Sequence, residues 1–336
     1  MCMDFLLSAT DGSFVNGRSM EFGIDLRSKP FIQRRGVEMK SSAPHFGEGL
    51  RWTTQYGYVG LNALGLPILT DGLNERGLST GCLWLPGSTF QTVTDPARAL
   101  SVSLFTDWLL GNFADVAAVR AGLSAVEVWG HELTHKELSP VHFPVHDATG
   151  RSIVIEFTGG AVQVYDNPIA ILTNAPNFPW HLENVRNYVG LTPWDVGSAE
   201  IAGESFAQTG HGSGLRGLPG DYTPPSRLIR GLFLKQFANP VKDGPAARNL
   251  AFHVLNAHDI PKGTIREKKL FGQEDDYTQW AVVKDLTQLV LQYRYYEHLA
   301  PRTIDLKLID FGKGASGEIA VPAPVDEDIT SLIEAL

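Results

Sequence analysis

A cysteine in second position can do chemistry that it cannot do elsewhere in a chain. Met1 is usually removed when the next residue is small, and the chain would then begin with a thiol and a free α-amine on one residue, Cys2. An α-amine has a reference pKa of about 7.7–8.0, so near neutrality part of it is neutral and can act as a base. A thiolate is a strong nucleophile, and an adjacent base or cation raises its population. On position alone, a small residue opening a buried strand is the simpler reading. The stretch NGRSMEFG, residues 16–23, changes that. It sets Arg18 and Glu21 just beyond a turn, from which a hairpin can return them to the chain start. A cation there favours thiolate, and a carboxylate can orient an ammonium group. The competing reading, a surface Arg–Glu pair, would be worth little.

A second motif offers different chemistry. GHELTHKE carries H-E-x-x-H at residues 131–135. A zinc peptidase needs His131 and His135 one helical turn apart with Glu132 as base, and Glu156 is a conceivable third ligand. The context opposes it: residues 126–130 alternate like a strand, and Pro140 soon closes the segment. We read the match as chance. His142 and His146 lie four apart on one face of a strand with no third ligand, which suits structural or surface residues. GLRGLPG does not link a strand to a helix as a phosphate loop must. Cys82, in an apolar stretch, reads as a small core residue.

The elements that must position these residues follow from periodicity. CMDFLL, DGSFVNGRSMEFG, RWTTQYGYVGLNA and LSTGCLWL read as strands. Asp95-Pro96 looks like the cap and first position of a helix through ARALSVSLFTDWLLGNF, and ADVAAVRAGL continues as a second helix. VHFPVHDATGRSIVIEF reads as a hairpin turning at Asp147–Gly150, followed by strands AVQVYDN and AILTN. HLENVRNY is a short helix, and a Gly-rich loop spans about 190–225. SRLIRGLFLKQF and PAARNLAFHVLNAH are amphipathic helices, and strands YTQWAVVKD, LVLQYRYYE and TIDLKLIDF close the fold. The short aromatic and basic run Tyr293–Tyr296 fits an alternating strand. Strands, helices, strands, helices, strands argue for an α+β fold of mainly antiparallel sheets with segregated helices. The 336 residues are 43% hydrophobic and 19% charged, an ordinary globular balance. We expect one domain, with 313–336 a polar tail.

A formal charge of -9 without a basic cluster gives nucleic acid or an anionic membrane little purchase, so the expected partner is a small molecule. No run of about 18 apolar residues occurs. The start lacks the basic region of a secretory signal. A cytoplasmic location is expected, or a periplasmic one had a leader preceded Met1.

Several blocks in order resemble the choloylglycine hydrolase family, which contains bile salt hydrolases and penicillin V acylases. These are the opening M-C with DGSFVNGRSMEFG, YDNPIAILTNAPNFPWHLENVRNY at 165–188, and GLPGDYTPPSRLIR at 217–230. HDATGRSIVIEF and DDYTQWAVVKDL are similar to further blocks, so the likeness runs from residue 2 to about 310. It implies a four-layered αββα sandwich of the N-terminal-nucleophile (Ntn) class, working without a cofactor as a linear amide hydrolase. Cys2 would attack the amide carbonyl, giving a thioester that water hydrolyses. Arg18 would sit beside the thiol, and Glu21 would hold the α-amine. Asn174 would donate to the oxyanion, and Arg227 would support the site electrostatically. Phe22 and Trp84 would contact substrate.

Two residues depart from the family pattern. Glu21 stands where the family usually has Asp, which moves the carboxylate by about 1.5 Å. Trp84 stands where bile salt hydrolases generally carry an Asn that donates to the oxyanion. An indole fits an aromatic or long acyl group better than it copies an amide. In this Trp84 resembles the Gram-negative branch of penicillin V acylases, whose members also cleave N-acyl homoserine lactones. Penicillin V and acyl homoserine lactones therefore rank above conjugated bile salts; the other classes are a zinc peptidase and a non-catalytic ligand-binding relative. The resemblance also implies a homodimer or homotetramer, with contacts built by the loop at 190–216.

Overall fold

In the first strand, Cys2–Ser8, every residue from Cys2 to Leu7 except Asp4 is apolar, the pattern of a strand covered on both faces. In the computed structural model, which describes residues 1–130, 140–269 and 272–323, it lies inside an antiparallel sheet. The order in that sheet is Ile171–Leu172, Cys2–Ser8, Phe14–Phe22, Gly272–Asp285, Val290–Tyr295 and His298–Asp305, with Ile265–Lys269 also paired to Gly272–Asp285. A second antiparallel sheet runs Ala161–Asp166, Ser152–Thr158, Val141–His146, Ser79–Gly81, Leu66–Asn74, Tyr58–Ala63, Pro30–Gln33 and Gly317–Glu318. Leu83–Trp84 pairs with Val141–His146 beside it.

Side chains alternate across a strand, so each sheet has an inner and an outer face. Cys2, Leu6, Met20, Trp280 and Val282 from the first sheet meet Val59, Leu61, Leu73 and Val154 from the second. On the outer face of the first sheet, Met3, Phe5, Leu7, Ala281 and Val283 pack under α4 (Pro224–Phe237) and α5 (Gly244–Asn256) through Leu228, Ile229, Ala251 and Leu255. On the far side of the second sheet, Phe143, Val145, Ile153 and Ile155 pack under α1 (Phe105–Asn112) and α2 (Val116–Gly122). The fold is a four-layered αββα sandwich. A short helix, α3 (Phe178–Val185), follows the Ile171–Leu172 strand. Among the described residues no helix is long and apolar enough to cross a membrane.

Three segments differ from the sequence reading. Asp95 caps as expected, accepting from the Ala97 amide, but it opens only the single turn Pro96–Arg98. Ala99–Ser101 then runs as a strand parallel to Glu127–Trp129, and α1 starts at Phe105. A cap contributes about 1 kcal/mol, whereas fully burying one leucine contributes about 1.5–3 kcal/mol, and Leu100 is fully buried here. The Gly-rich loop contains a small hairpin, Ala199–Ile201 with Glu204–Phe206. Within the expected polar tail, Gly317–Glu318 pairs with Pro30–Gln33, and Glu318 takes hydrogen bonds from Lys29 at 2.8 Å and Asn62 at 2.9 Å.

Inside α1, the buried Asp107 accepts from the Tyr58 hydroxyl at 2.9 Å and the Leu69 amide at 3.1 Å. Burial pushes its pKa up to about 7, against about 3.9 in an unfolded chain. The native state then holds a proton that the unfolded state has lost. This contribution to stability is fully present below about pH 4 and is lost as pH rises to about 7. Asp107→Asn should remove that decline. Urea unfolding across this window should show wild type losing up to about 1.4 kcal/mol per pH unit relative to the variant. Parallel stability curves would show that Asp107 does not titrate there.

Candidate active site

Alternation along the first hairpin decides what surrounds Cys2. Cys2 pairs with Met20 and Asp4 with Arg18, and all four side chains lie on the inner face between the sheets. The Cys2 thiol is 2% exposed, and Arg18 Nη2 lies 4.0 Å from its Sγ. The guanidinium is completely buried, so its other contacts must replace water. Nη1 donates to the Thr70 carbonyl at 2.6 Å, Nη2 donates to the Cys82 carbonyl, and the group lies 5.0 Å from the centre of the Trp280 ring. Asp71 Oδ2 stands 3.3 Å from Nη1.

Asp71 also takes Lys284 Nζ at 2.6 and 2.7 Å, so two buried cations share one carboxylate across the gap between the sheets. Burial works against the Arg18 charge, but Asp71 and the thiols of Cys2 and Cys82 hold its pKa above the ordinary value. Burial raises the Asp71 pKa even with both cations opposing it, and burial lowers that of Lys284. Farther along the seam, Asp4 pairs with His146 at 2.6 Å and accepts from Asn16 at 3.0 Å, while Ser79 donates to Asn16 at 2.9 Å.

Asn174 follows the Ile171–Leu172 strand. Its Oδ1 accepts from the Cys2 backbone nitrogen at 2.6 Å, and its Nδ2 donates to the Trp84 carbonyl at 2.7 Å. A primary amide has two N–H donors, so one remains for a further acceptor.

The fold brings Cys2, Arg18 and Asn174 together, but Glu21 is placed otherwise than expected. Position 21 is one residue out of phase with 18 and 20, so its carboxylate points to the outer face, toward α4. There it accepts from Arg227 Nη2 at 2.6 Å and from Thr278 Oγ1 at 3.0 Å. In the chain with Met1 in place, the Cys2 nitrogen is a peptide amide held by Asn174, while the Met1 ammonium donates to the Glu21 main-chain carbonyl. Arg227 thus lies behind the sheet, paired with Glu21 and 3.4 Å from Ser19 Oγ.

A cavity of about 550 Å³ opens onto Cys2, with Met20, Phe22, Leu26, Leu64 and Trp84 on its walls. The rings of Phe22 and Trp84 lie 5.9 Å apart. Cys82 is half-buried; it packs against the core beneath α1 and α2, as expected, and also lines this cavity. Burial pushes its thiol up to about 11, which keeps it protonated near neutrality. His131, Glu132 and His135 lie outside the described residues. Glu156, the conceivable third zinc ligand, is buried and pairs with His142 at 3.0 Å.

Sequence reading missed Asp71 and Lys284. A carboxylate within the largely apolar LPILTDGLN and an ammonium directly after the apolar run WAVV were the available signals.

The four layers are those of the Ntn-hydrolase fold, and comparison with known proteins narrows it. The sequence model described as linear amide C-N hydrolases, choloylglycine hydrolase family, matches residues 2–313, and the chain belongs to that family. A bile salt hydrolase/transferase of Clostridium perfringens is 31% identical over 314 residues, 91% of this chain and 92% of that protein. A penicillin V acylase of Pectobacterium atrosepticum is 26% identical over 322 residues, 88% of this chain and 78% of that one. Among solved structures, a variant of the conjugated bile acid hydrolase from Clostridium perfringens superposes with a TM-score of 0.86 at 26% identity, covering 98% of this chain and 100% of that one. The penicillin V acylase from Agrobacterium tumefaciens shares the fold, with a TM-score of 0.76 at 22% identity over 94% of this chain and 90% of that one.

Removing one partner from a buried ionic cluster leaves an uncompensated charge, at a cost of about 3–5 kcal/mol. Asp71→Asn should therefore destabilise the fold by about that amount in urea denaturation. Adding Lys284→Met should restore part of the loss. An Asp71→Asn protein as stable as wild type would show that the cluster is not a structural requirement.

Proposed function

We propose that this protein is an Ntn amidase whose nucleophile is the Cys2 thiol, freed together with its α-amine when Met1 is removed. The observation that carries the reading is the thiol itself, buried beside an obligate cation at one wall of a largely apolar cavity. The α-amine takes the thiol proton, and Sγ attacks the amide carbonyl of an acyl amide. The oxygen of the tetrahedral intermediate takes the spare Asn174 N–H; removal of one such donor typically lowers the rate about 10²–10³-fold. The ammonium returns its proton to the departing amine, leaving a thioester on Cys2. Water, deprotonated by the α-amine, hydrolyses that thioester and restores the thiol. With Met1 gone, Asn174 Oδ1 would orient the amine, a reading supported by its hydrogen bond to the Cys2 nitrogen, and Arg227 would hold Glu21 one layer behind.

Within the amide hydrolases, Trp84 and Phe22 favour a flat or long apolar acyl group such as the phenoxyacetyl of penicillin V or the chain of an N-acyl homoserine lactone. The second reading, a conjugated bile salt, is favoured by the bile salt hydrolases among the relatives. Turnover of penicillin V, a long-chain N-acyl homoserine lactone and a glycine-conjugated bile salt, compared by kcat/KM, separates them. Trp84→Asn should lower kcat/KM for the first two about tenfold or more, since fully burying one large apolar side chain is worth about 1.5–3 kcal/mol. Highest kcat/KM for the bile salt, unchanged by Trp84→Asn, would favour the second reading. Cys2→Ala should abolish turnover of all three, and retained turnover would end the Cys2 assignment.

The same reading includes self-association as a dimer or tetramer. Val189 and Trp194, each 78% exposed, and Phe206, 56% exposed, present apolar side chains along the 189–206 segment, which supports an interface there. Light scattering should show an oligomer that Trp194→Asp with Phe206→Asp converts to monomer. An unchanged mass would place the interface elsewhere.

A further inference from the structure

The Asn174 side chain can serve an oxyanion only if its backbone is fixed, and the sheet does not fix it. Pairing of Ile171–Leu172 with the first strand ends at Leu172 opposite Asp4, so Thr173 and Asn174 have left the ladder. Their carbonyls are buried and need donors from elsewhere. Two imidazoles supply them. His142, on the Val141–His146 strand, meets the Thr173 carbonyl through Nε2 at 2.9 Å. His181, in α3, meets the Asn174 carbonyl through Nε2 at 2.9 Å.

A carbonyl oxygen can only accept, so both rings carry their proton on Nε2. For His142 the other nitrogen, Nδ1, faces Glu156 Oε1 at 3.0 Å, and one proton lies between them. The same Oε1 accepts from the Phe178 amide at 2.9 Å, at the start of α3. Glu156 thus ties His142 to the helix that carries His181. All three side chains are 0% exposed. This is more buried polar machinery than a turn needs for stability, and it converges on two consecutive carbonyls. We propose that Glu156, His142 and His181 form a clamp of positioning residues that holds Asn174 in register with Cys2. The proposal rests on the reading of Asn174 as an oxyanion donor, and it assigns the clamp no contact with substrate.

The test uses the full-length enzyme with its best substrate from the three-compound panel. His181→Gln keeps an N–H near the position of Nε2, whereas His181→Met and His142→Met remove their donors. The Met variants should lose kcat by about tenfold to a hundredfold, since a misplacement of about 1 Å can cost 10²-fold. KM should stay within about twofold, since the clamp touches no substrate. His181→Gln should recover most of kcat. In an Asn174→Ala background the Met substitutions should cause no further loss, as expected when residues act as a unit. An equal, additive loss in that background would overturn the clamp, as would wild-type kcat in folded Met variants. If Asn174→Ala alone keeps full kcat, the oxyanion reading fails first. Should the Met variants not fold, Glu156→Gln, which preserves shape, carries the same expectation: a kcat loss that Asn174→Ala absorbs, and undiminished kcat would reject the clamp.

Discussion

Everything around the thiol depends on a guanidinium that has no water. Arg18 enters the gap between two sheets, where burying an ion costs several kcal/mol unless other groups replace its hydration. Two carbonyls, an indole face and Asp71 do so. Asp71 in turn needs Lys284, because a carboxylate in that gap is itself unstable against protonation. The cluster takes Arg18 and Lys284 from one sheet and Asp71 from the other. The sheets are therefore held in a fixed relation at the place where the thiol must meet its cation. A purely apolar interior would pack as densely, and it would leave the sulfur without a nearby charge.

The two faces of the first sheet divide the work. Inward, Cys2, Asp4, Arg18 and Lys284 form the polar seam. Outward, Met3, Phe5 and Val283 form the floor under α4 and α5, interrupted by Glu21 and Arg227. One strand residue separates a side chain in the gap between the sheets from one that braces the outer layer. Asn174 crosses this division at the sheet edge, where the chain leaves the ladder and its amide can reach the Cys2 nitrogen.

Much of this was legible in the sequence, and the parts that were not share a cause. Cys2 and Arg18 could be singled out by residue type and position, whereas Asn174 and Arg227 were marked only by the family resemblance of their blocks; the strands announce themselves by alternation. The direction of Glu21 was legible too, since it is out of phase with Arg18, but parity was outweighed by the motif. Asp71 and Lys284 were not assigned because each makes sense only through a partner on the opposite sheet, brought close by layer stacking and not by spacing. Ala99–Ser101 failed for a similar reason: a local cap predicted a helix, and a partner strand more than 25 residues away overrode it. The pairing of His142 with Glu156 was masked by the resemblance of neighbouring residues to a zinc motif.

The central claim is that chemistry passes through a thioester on a processed Cys2. Its most direct test is intact mass spectrometry of the enzyme acid-quenched during turnover of penicillin V or an N-acyl homoserine lactone. The account predicts a chain lacking Met1 and carrying one added acyl mass that maps to Cys2 and is lost on treatment with hydroxylamine. Full turnover by a chain that retains Met1, with no acyl adduct at any quench time, would contradict it.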